Sequence, residues 1–448
     1  MLLFSLLAVQ AVTAKSYSLK SPNGVLEVKV EVAAQTHYSL MVGGEEVITP
    51  SRIAMEEESG VVLGDNMPVR KVVQGSKSEH IVAPLYRQAE FDAEYNYLTI
   101  LSRDGYSLEL RAYNDGVAYR FVTAKKEDLT IKNEVVEFNF AEDYNLVIPY
   151  ADKRNDPYYT SFESQYTLEK VSDVKSHTDR LAFMPVMVDI ADRGKLLLTE
   201  SDVEDYPGLF VTFAEEKIGL KAFPTPLPSE WKITGSGSKR PTAYHDIGAK
   251  TSGSRTFPWR VVGYAADDTQ LPVNNMVYQL AAPSRIEDTS WIKGGKSTWD
   301  WWNGVRLYGV DFRAGINTET YKYHIDFAAK YGIEYVILDE GWNVNLKADL
   351  FQIIPEIDLH DGALLSTNAA VSGHRSASSS MNNQYPYLGA DNSDASFWAS
   401  KATTDGEWFQ TLFDKPYDLE SLELNFGSII IEAGSNKTFT YTILLEGY

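Results

Sequence analysis

The sequence predicts a multidomain protein with an N-terminal antiparallel β-super-sandwich, an incomplete (β/α) barrel segment of the TIM type and a C-terminal β-rich partial sandwich. Three observations predict it. Short runs of alternating apolar and polar residues fill the chain to about residue 265, a strand, helix and strand pattern follows residue 297, and strand-like runs return beyond residue 361. The 448 residues with 44% hydrophobic content allow more than one core, because domains average about 150 residues.

The first part of the chain has the two-residue period of half-buried strands. Residues 26–32 (LEVKVEV) and 107–113 (SLELRAY) alternate apolar and polar side chains, as strands with one face in a core do. Turn-forming segments such as 22–24 (PNG) and 114–116 (NDG) separate the runs. We therefore predict an antiparallel β-sandwich over residues 15–280.

A domain junction is predicted in residues 271–297, which contain Pro272, Pro283 and the pair Gly294-Gly295. Residues 281–360 are assigned to the start of a (β/α)8 barrel. A complete barrel of this kind takes roughly 250 residues, and residues 296–359 could supply only about two βα units. The expectation is a barrel truncated within this chain.

The helix predicted in this segment begins at Asn317 or Thr318, either of which can cap its N-terminus, and ends before Gly332. One face of the helix carries apolar and aromatic residues, namely Tyr321, Ile325, Ala328 and Ala329. An apolar strand is predicted over residues 333–338. Strand, helix and strand in this order indicate a parallel sheet.

The last segment, residues 361–448, begins with a stretch rich in Ser, Asn and Ala. Strand-like runs follow at residues 421–426 and 438–445. We predict a third, β-rich module over this range.

Composition excludes several classes of partner and chemistry. The net charge of −21 disfavours nucleic acid, because phosphate binding needs clustered Lys and Arg. The chain has no cysteine, so disulfides, thiolate metal sites and a cysteine nucleophile are excluded.

Residues 1–14 are short, apolar and closed by small residues around Ala14, which is typical of a signal peptide. We therefore expect export to the periplasm or the medium. The basic segment that usually begins a signal peptide is missing, so a misassigned start or a buried apolar strand are the alternatives. No other apolar run approaches the roughly 20 residues that span a bilayer, and no transmembrane segment is predicted.

Two predicted strand ends carry the residues of a candidate site. Residues 335–342 (YVILDEGW) are an apolar strand that ends in Asp339, Glu340 and Trp342, and residues 297–303 (STWDWWN) form a second strand end. Active-site groups of parallel barrels lie at the C-terminal ends of strands. Because aromatic rings suit sugar faces and polar groups suit hydroxyls, the strand ends indicate a sugar site.

These motifs and several others resemble glycoside hydrolase family 97, in the same order and at the same spacing. In the second part of the chain the similar segments are 290–293 (SWIK), 299–303 (WDWWN), 309–312 (GVDF), 325–328 (IDFA) and 332–342 (GIEYVILDEGW). In the first part they are 111–116 (RAYNDG), 199–202 (TESD), 206–208 (YPG) and 257–260 (FPWR). The resemblance runs from about residue 16 to residue 359.

The resemblance implies an exported, calcium-dependent α-glycosidase that acts on an α-galactoside-containing oligosaccharide or polysaccharide. The strand ends look more like the retaining α-galactosidase branch than the inverting α-glucosidase branch. In that branch the nucleophile and the general acid/base lie on later barrel strands, whose motifs do not occur in this sequence, so no catalytic residue is assigned. The alternatives are an α-glucosidase and a noncatalytic carbohydrate-binding protein or remnant.

A second, looser resemblance concerns the C-terminal segment. Residues 390–398, 406–410 and 415–417 are similar to the first half of a discoidin-like carbohydrate-binding module. The resemblance implies a partial module over residues 361–448.

The resemblance also implies site residues. Glu200 matches the position from which the family's sandwich donates a calcium ligand, and a carboxylate is the hard oxygen donor that calcium prefers; without the resemblance it would be read as a solvated side chain. The substrate-binding residues implied or predicted are Trp299, Asp300, Trp301, Asn303, Glu340 and Trp342. Large aromatic residues are also frequent in cores, and neighbouring residues on a strand face opposite ways, so at most one of Asp339 and Glu340 faces the substrate.

Four further residues are expected to be structural. His245 and His324 have no second ligand at metal-binding spacing. Trp259 and Arg260 lie in a strand near the junction, where the planar guanidinium of Arg260 could bind a carboxylate across the interface.

Overall fold

The computed structural model describes residues 14–339, 342, 374–377 and 409–412, except residues 84, 153–155, 159, 161 and 235–238. The chain divides into two compact units, Met1–Gly295 and Lys296–Tyr448. The division falls inside the stretch 271–297, where the sequence analysis placed the junction. The predicted signal peptide, apart from residue 14, lies outside the described residues.

The first unit contains two ten-stranded sheets. The strands of the first sheet are β1 (Lys15–Lys20), β2 (Leu26–Val32), β3 (Thr36–Val42), β4 (Glu45–Glu57), β5 (Val62–Leu63), β10 (Leu129–Phe140), β13 (Ala182–Phe183), β16 (Phe210–Phe213), β17 (Gly219–Ala222) and β20 (Ala249–Thr251). Their order is β1-β2-β3-β4-β10-β17-β16-β13, with β5 paired to β4 and β20 paired to β10.

The strands of the second sheet are β6 (Val69–Val82), β7 (Glu90–Ser102), β8 (Tyr106–Tyr113), β9 (Gly116–Ala124), β11 (Asn145–Pro149), β12 (Tyr166–Lys170), β14 (Val186–Asp189), β15 (Lys195–Ser201), β21 (Ser254–Thr256) and β22 (Trp259–Ala265). Their order is β12-β11-β14-β15-β22-β9-β8-β7-β6, with β21 paired to β9. The pairs β2·β3, β7·β8 and β15·β22 are antiparallel, as the sequence predicted.

The core of this unit lies between the two sheets. Strand β2 buries Leu26, Val28 and Val30 while the residues between them are more exposed, which is the alternation that the sequence shows. The two sheets meet at Tyr38 of β3 and Tyr119 of β9, whose ring centroids are 5.4 Å apart. The predicted β-sandwich is therefore present.

A second, smaller cluster covers the outer face of the second sheet. Helix α1 (Met276–Leu280) buries its two end residues there. Trp259 is fully buried in this cluster, with the guanidinium carbons of Arg111 and Arg120 at 4.9 Å and 4.3 Å from its ring. Cation–π contacts of this kind stabilise a buried indole, so Trp259 has the structural role expected of it.

Smaller elements complete the first unit. Strands β18 (Pro228–Ile233) and β19 (Lys239–Tyr244) form a separate two-stranded antiparallel sheet. Three 3₁₀ helices, which the sequence analysis did not predict, span Val171–His177, Ala191–Arg193 and Asp268–Val273.

The described part of the second unit begins with a βαβ arrangement. Strand β23 (Ser297–Trp299) pairs in parallel with β24 (Tyr335–Ile337), and helix α2 (Thr318–Tyr331) connects them. Asn317 caps the helix by accepting a hydrogen bond from the N–H of Thr320, and Gly332 ends it in the left-handed conformation at φ 63°. The predicted helix, its cap and the parallel sheet are confirmed, whereas the strand is shorter than the predicted 333–338.

Beyond this arrangement, strands β25 (His374–Ala377) and β26 (Phe409–Leu412) pair antiparallel. The predicted strands at 421–426 and 438–445, and the segments that resemble a discoidin-like module, lie outside the described residues. The second unit is thus described as one βαβ arrangement and one strand pair, and the complete barrel and the C-terminal module stay predictions.

Candidate functional site

The C-terminal ends of β23 and β24 lie side by side because the two strands are parallel and Trp299 is in register with Ile337. The chain leaves β23 through a 3₁₀ helix over Asp300–Asn303. It leaves β24 through residues 338 and 339. The two candidate motifs of the sequence are therefore brought to one edge of the sheet.

Asp300 and Asp339 connect these ends. One carboxylate oxygen of Asp300, Oδ1, accepts a hydrogen bond from the backbone N–H of Asp339 at 3.1 Å. The carboxylate of Asp339 in turn accepts a hydrogen bond from the indole N–H of Trp299 at 3.0 Å. Asp300 is only 1% exposed, so it binds the backbone of Asp339 from a buried position. Trp299 is 42% exposed and is accessible to solvent.

Four buried polar atoms cluster on the elements below this edge. Thr298 Oγ1, Asp300 Oδ2, Tyr321 Oη and His324 Nε2 are buried, and none meets hydrogen-bond geometry with another described residue. Burial raises the pKa of the Tyr321 hydroxyl, and the neighbouring carboxylate of Asp300 adds to the shift. Burial lowers the pKa of His324, against the opposing effect of Asp300. Tyr321 and His324 are therefore neutral near pH 7 and lie beside the buried side chain of Asp300.

The tryptophans of the two motifs differ in their surroundings. Trp301 and Trp302 are 57% and 82% exposed, so their rings are accessible at the end of β23. Trp342 is partly buried and packs against the buried ring of Tyr321, in a small cluster with Ile316, Ile325 and Leu338. The structure thus gives Trp301 and Trp302 the exposure that a sugar needs and places Trp342 in the core of the unit.

The structure places the remaining candidate residues in different surroundings. Asn303 is exposed, but its side chain donates a hydrogen bond to the carbonyl of Arg306 and accepts one from the N–H of Arg306, which locks a local turn. Glu340 lies outside the described residues. His324 lies on α2 and belongs to no group of three or more potential metal ligands among the described residues.

In the first unit, Glu200 belongs to a buried ion-pair network. Its carboxylate accepts a hydrogen bond from Arg260 Nη1 at 2.6 Å and from the backbone N–H of Leu209 at 2.9 Å. Arg260 also donates to both carboxylate oxygens of Glu134, at 2.9 Å and 2.6 Å. Burial raises the pKa of Glu200, although Arg260 opposes the shift. The guanidinium therefore binds carboxylates within the first unit, a correction to the partner expected across the domain interface.

The network could not be read from the sequence. Arg260 and Glu134 are 126 positions apart and belong to different sheets, so only the strand order brings them together. Glu200, by contrast, is the cross-strand neighbour of Arg260 in the β15·β22 pair, and it stands in a segment that the sequence analysis singled out.

A cavity of about 100 Å³ lies beside this network. Its wall includes Glu134, Arg260, Tyr206 and His245, together with prolines and phenylalanines of neighbouring loops. Burial raises the pKa of the Tyr206 hydroxyl, and the adjacent carboxylate of Glu134 adds to the shift. The cavity is thus lined by charges of both signs that cancel, Lys132 and Arg260 against Glu134 and Asp246, and by the neutral hydroxyl of Tyr206.

Two kinds of feature are absent from the described residues. No group of three or more His, Cys, Asp or Glu side chains in the described parts of the chain could hold a metal ion. Among the helices described here, none combines the length and the apolar character needed to cross a membrane.

Comparison with known families shows to which protein family this chain belongs. A family model described as the N-terminal part of glycosyl-hydrolase 97 matches residues 19–283, more than half of the chain. The chain belongs to glycoside hydrolase family 97. A second model, described as glycoside hydrolase 97, matches residues 301–370, which include helix α2 and strand β24.

Among curated relatives, this family 97 chain is 40% identical over 354 residues to a protein of Bacteroides thetaiotaomicron named retaining α-galactosidase. The alignment covers 78% of this chain and 53% of the relative. A probable retaining α-galactosidase of Streptomyces bingchenggensis is 36% identical over 94 residues, 20% of this chain and 13% of that protein. The chain thus spans about half the length of the Bacteroides relative.

Solved structures of the family have a similar fold. A glycoside hydrolase family 97 enzyme from Pseudoalteromonas sp. strain K8, in complex with acarbose, superposes with a TM-score of 0.56 at 22% identity, over 75% of this chain and 49% of that one. A β-arabinopyranosidase superposes with a TM-score of 0.57 at 20% identity, over 74% of this chain and 52% of that one. At these identities the likeness concerns the fold.

Proposed function

We propose that this family 97 chain acts, as part of an exported retaining glycoside hydrolase, on α-galactosides. The observation that carries the proposal is the 40% identity over 354 residues to a protein named retaining α-galactosidase. The exposed aromatic rings and the Asp339 carboxylate at one sheet edge support it, because they are the groups with which proteins bind sugars.

The edge would bind the sugar ring through two kinds of contact. The accessible rings of Trp299, Trp301 and Trp302 offer flat apolar faces for the C–H groups of a pyranose. The carboxylate of Asp339, which accepts a hydrogen bond from the indole N–H of Trp299, is the type of group that accepts hydrogen bonds from sugar hydroxyls. A pocket of aromatic faces with a few placed polar groups is the usual form of a small-ligand site.

The described residues supply binding groups and no catalytic pair. A retaining mechanism needs two carboxyl groups about 5–5.5 Å apart, one as nucleophile and one as general acid/base. Asp300 is buried and committed to the N–H of Asp339, so Asp300 and Asp339 do not form such a pair. By the resemblance, the nucleophile and the acid/base belong to later strands of the catalytic domain.

Calcium is proposed as the cofactor, with Glu200 as its ligand from the sandwich. The fit is that of a single ligand. Among the described residues Glu200 Oε1 accepts the N–H of Leu209, which is shared with Oε2, and Oε2 also accepts Arg260, so Oε1 is the oxygen with a lone pair for an ion. Calcium takes 6–8 oxygen ligands, so the other donors would come from outside the described residues. When bound, such an ion would stabilise negative charge on substrate oxygens.

Two further proposals rest on the sequence. Residues 1–14 are proposed to be a signal peptide, and residues 361–448 to be a partial discoidin-like carbohydrate-binding module. The N-terminal sequence of the exported protein tests the first, since cleavage after Ala14 gives a chain that begins at Lys15.

The proposed activity is tested with the purified full chain and aryl α-galactoside and α-glucoside substrates, with calcium and with a chelator. We expect the galactoside to bind in preference to the glucoside, and calcium-dependent release from it where the later barrel strands that carry the nucleophile and the acid/base are present. Asp339→Asn should raise KM about tenfold, the effect of losing a charged hydrogen bond. Asp326→Asn, which changes an exposed carboxylate on α2, is the matched control and should leave kcat and KM unchanged.

The other outcomes separate the alternatives. A preference for the glucoside would make the chain an α-glucosidase. Affinity for galactosides without hydrolysis would identify a noncatalytic carbohydrate-binding protein. Neither hydrolysis nor affinity in a folded sample would overturn the proposal.

A further inference from the structure

Asp300 stands out in the described part of the second unit because it is a charged side chain with almost no exposure, 1%. Removing a carboxylate from water costs several kcal/mol unless hydrogen bonds and charges compensate. Here one oxygen of Asp300 has a backbone donor, and the other has no hydrogen-bond partner among the described residues.

The contacts of Asp300 run toward the proposed sugar edge. Its Oδ1 accepts the N–H of Asp339, so it fixes the backbone at the point where the chain leaves β24. Asp339 then holds the indole N–H of Trp299 at 3.0 Å. The backbone carbonyl of Asp300 also accepts hydrogen bonds from the N–H groups of Gly304 and Val305, so the same residue closes the turn that carries Trp301 and Trp302.

We propose that Asp300 is a positioning residue, which holds Asp339 and Trp299 in one orientation for a sugar ligand. Asp300 itself does not touch the ligand, because it is buried beneath the edge. The sugar ligand rests on the proposed function, whereas the positioning of Trp299 through Asp339 is a property of the chain that is measured without any sugar.

The chemistry of the aspartate allows a discriminating set of variants. Asp300→Asn keeps an oxygen that can accept the N–H of Asp339, and its new amide lies close to the hydroxyl of Tyr321, which interacts with Asp300 in the wild type. Asp300→Ala removes the acceptor. Thr298→Val, which changes a neighbouring buried hydroxyl with no partner in the described part, is the matched control.

The readout is the indole N–H resonance of Trp299 in the full chain labelled with ¹⁵N-tryptophan, identified by its loss in Trp299→Phe. In Asp300→Ala we expect this resonance to shift and its exchange with solvent to quicken about tenfold, the effect of losing one hydrogen bond of roughly 1.4 kcal/mol. In Asp300→Asn and Thr298→Val the resonance should keep its position and its exchange rate.

Two results would overturn the proposal. One is an unchanged Trp299 resonance in Asp300→Ala. The other is a displaced Trp299 resonance in Asp300→Asn while the resonances of Trp301 and Trp302 stay in place. This second variant tests the proposal even where Asp300→Ala unfolds the unit.

The sugar is tested separately, by titrating methyl α-galactoside while the same resonances are followed. A shift of the Trp299 resonance in the wild type that weakens in Asp300→Ala would support both the ligand and the positioning role. Absence of any shift in the wild type, with the Ala and Asn variants behaving as expected, would remove the galactoside and leave the positioning of Trp299 established.

Discussion

Arg260 joins the two sheets of the sandwich by binding Glu134 through two parallel hydrogen bonds, at 2.9 Å and 2.6 Å. The guanidinium comes from β22 of the second sheet and the carboxylate from β10 of the first. Both side chains are nearly buried, at 3% and 13% exposure. A bidentate pair in this setting is strong and geometrically specific.

Replacing Arg260 with Met should therefore destabilise the first unit by about 3–5 kcal/mol, because two buried carboxylates, Glu134 and Glu200, lose their counter-charge. Denaturant unfolding measures the change. Glu142→Gln is the control, since the pair of Glu142 with Arg193 is largely exposed on the Glu142 side and solvent screening leaves such a pair little effect on stability. Equal effects of the two changes would contradict this account of the network.

Gly194 is expected to tolerate no side chain. Its φ is +108°, and an added Cβ would lie 2.3 Å from the carbonyl oxygen of Ala265 on the neighbouring strand. Gly44 has a similar φ of +91° but open space around it. Gly44→Ala should cost about 1 kcal/mol for backbone strain alone, and Gly194→Ala clearly more, since the strand pair must also move. Thermal unfolding compares the two, and equal losses would show that the contact with Ala265 is relaxed at little cost.

His324 gives the second unit a pH dependence. Burial lowers its pKa below the usual 6.5, although Asp300 opposes the shift. In the unfolded chain the imidazole takes up a proton at about pH 6.5, and in the folded chain only at lower pH. The unfolded state thus binds more protons in this window, so stability is full above pH 6.5 and is lost as the pH falls toward the folded pKa.

Hydrogen–deuterium exchange of α2 checks this prediction. Corrected for intrinsic rates, protection of residues 318–331 should fall between pH 7 and pH 5 in the wild type. In His324→Gln the step should be smaller. A wild-type helix with the same protection at both pH values would rule out the buried neutral imidazole.

The local features of the fold were accessible from the sequence because short-range chemistry decides them. The alternation of residues 26–32 gave β2, and the cap Asn317 with the terminator Gly332 gave the limits of α2. The meeting of Arg260 with Glu134 was not accessible, because it depends on the order in which distant strands pair. Likewise the sequence marked Asp300 as polar at a strand end, but only its burial and its bond to Asp339 indicate a role beneath the edge.

The burial of the tryptophans was likewise not predictable from the sequence, and it allows a last prediction. Trp342 packs on Tyr321, so Trp342→Ala should destabilise the second unit by about 3 kcal/mol, as truncation of a packed tryptophan does. Trp302 is 82% exposed, so Trp302→Ala should change stability by less than about 0.5 kcal/mol while it weakens binding of methyl α-galactoside. Protection of α2 against exchange reports the stability, and titration with the galactoside reports the affinity. Loss of affinity only in Trp342→Ala, at unchanged stability, would move the sugar-stacking role from Trp302 to Trp342.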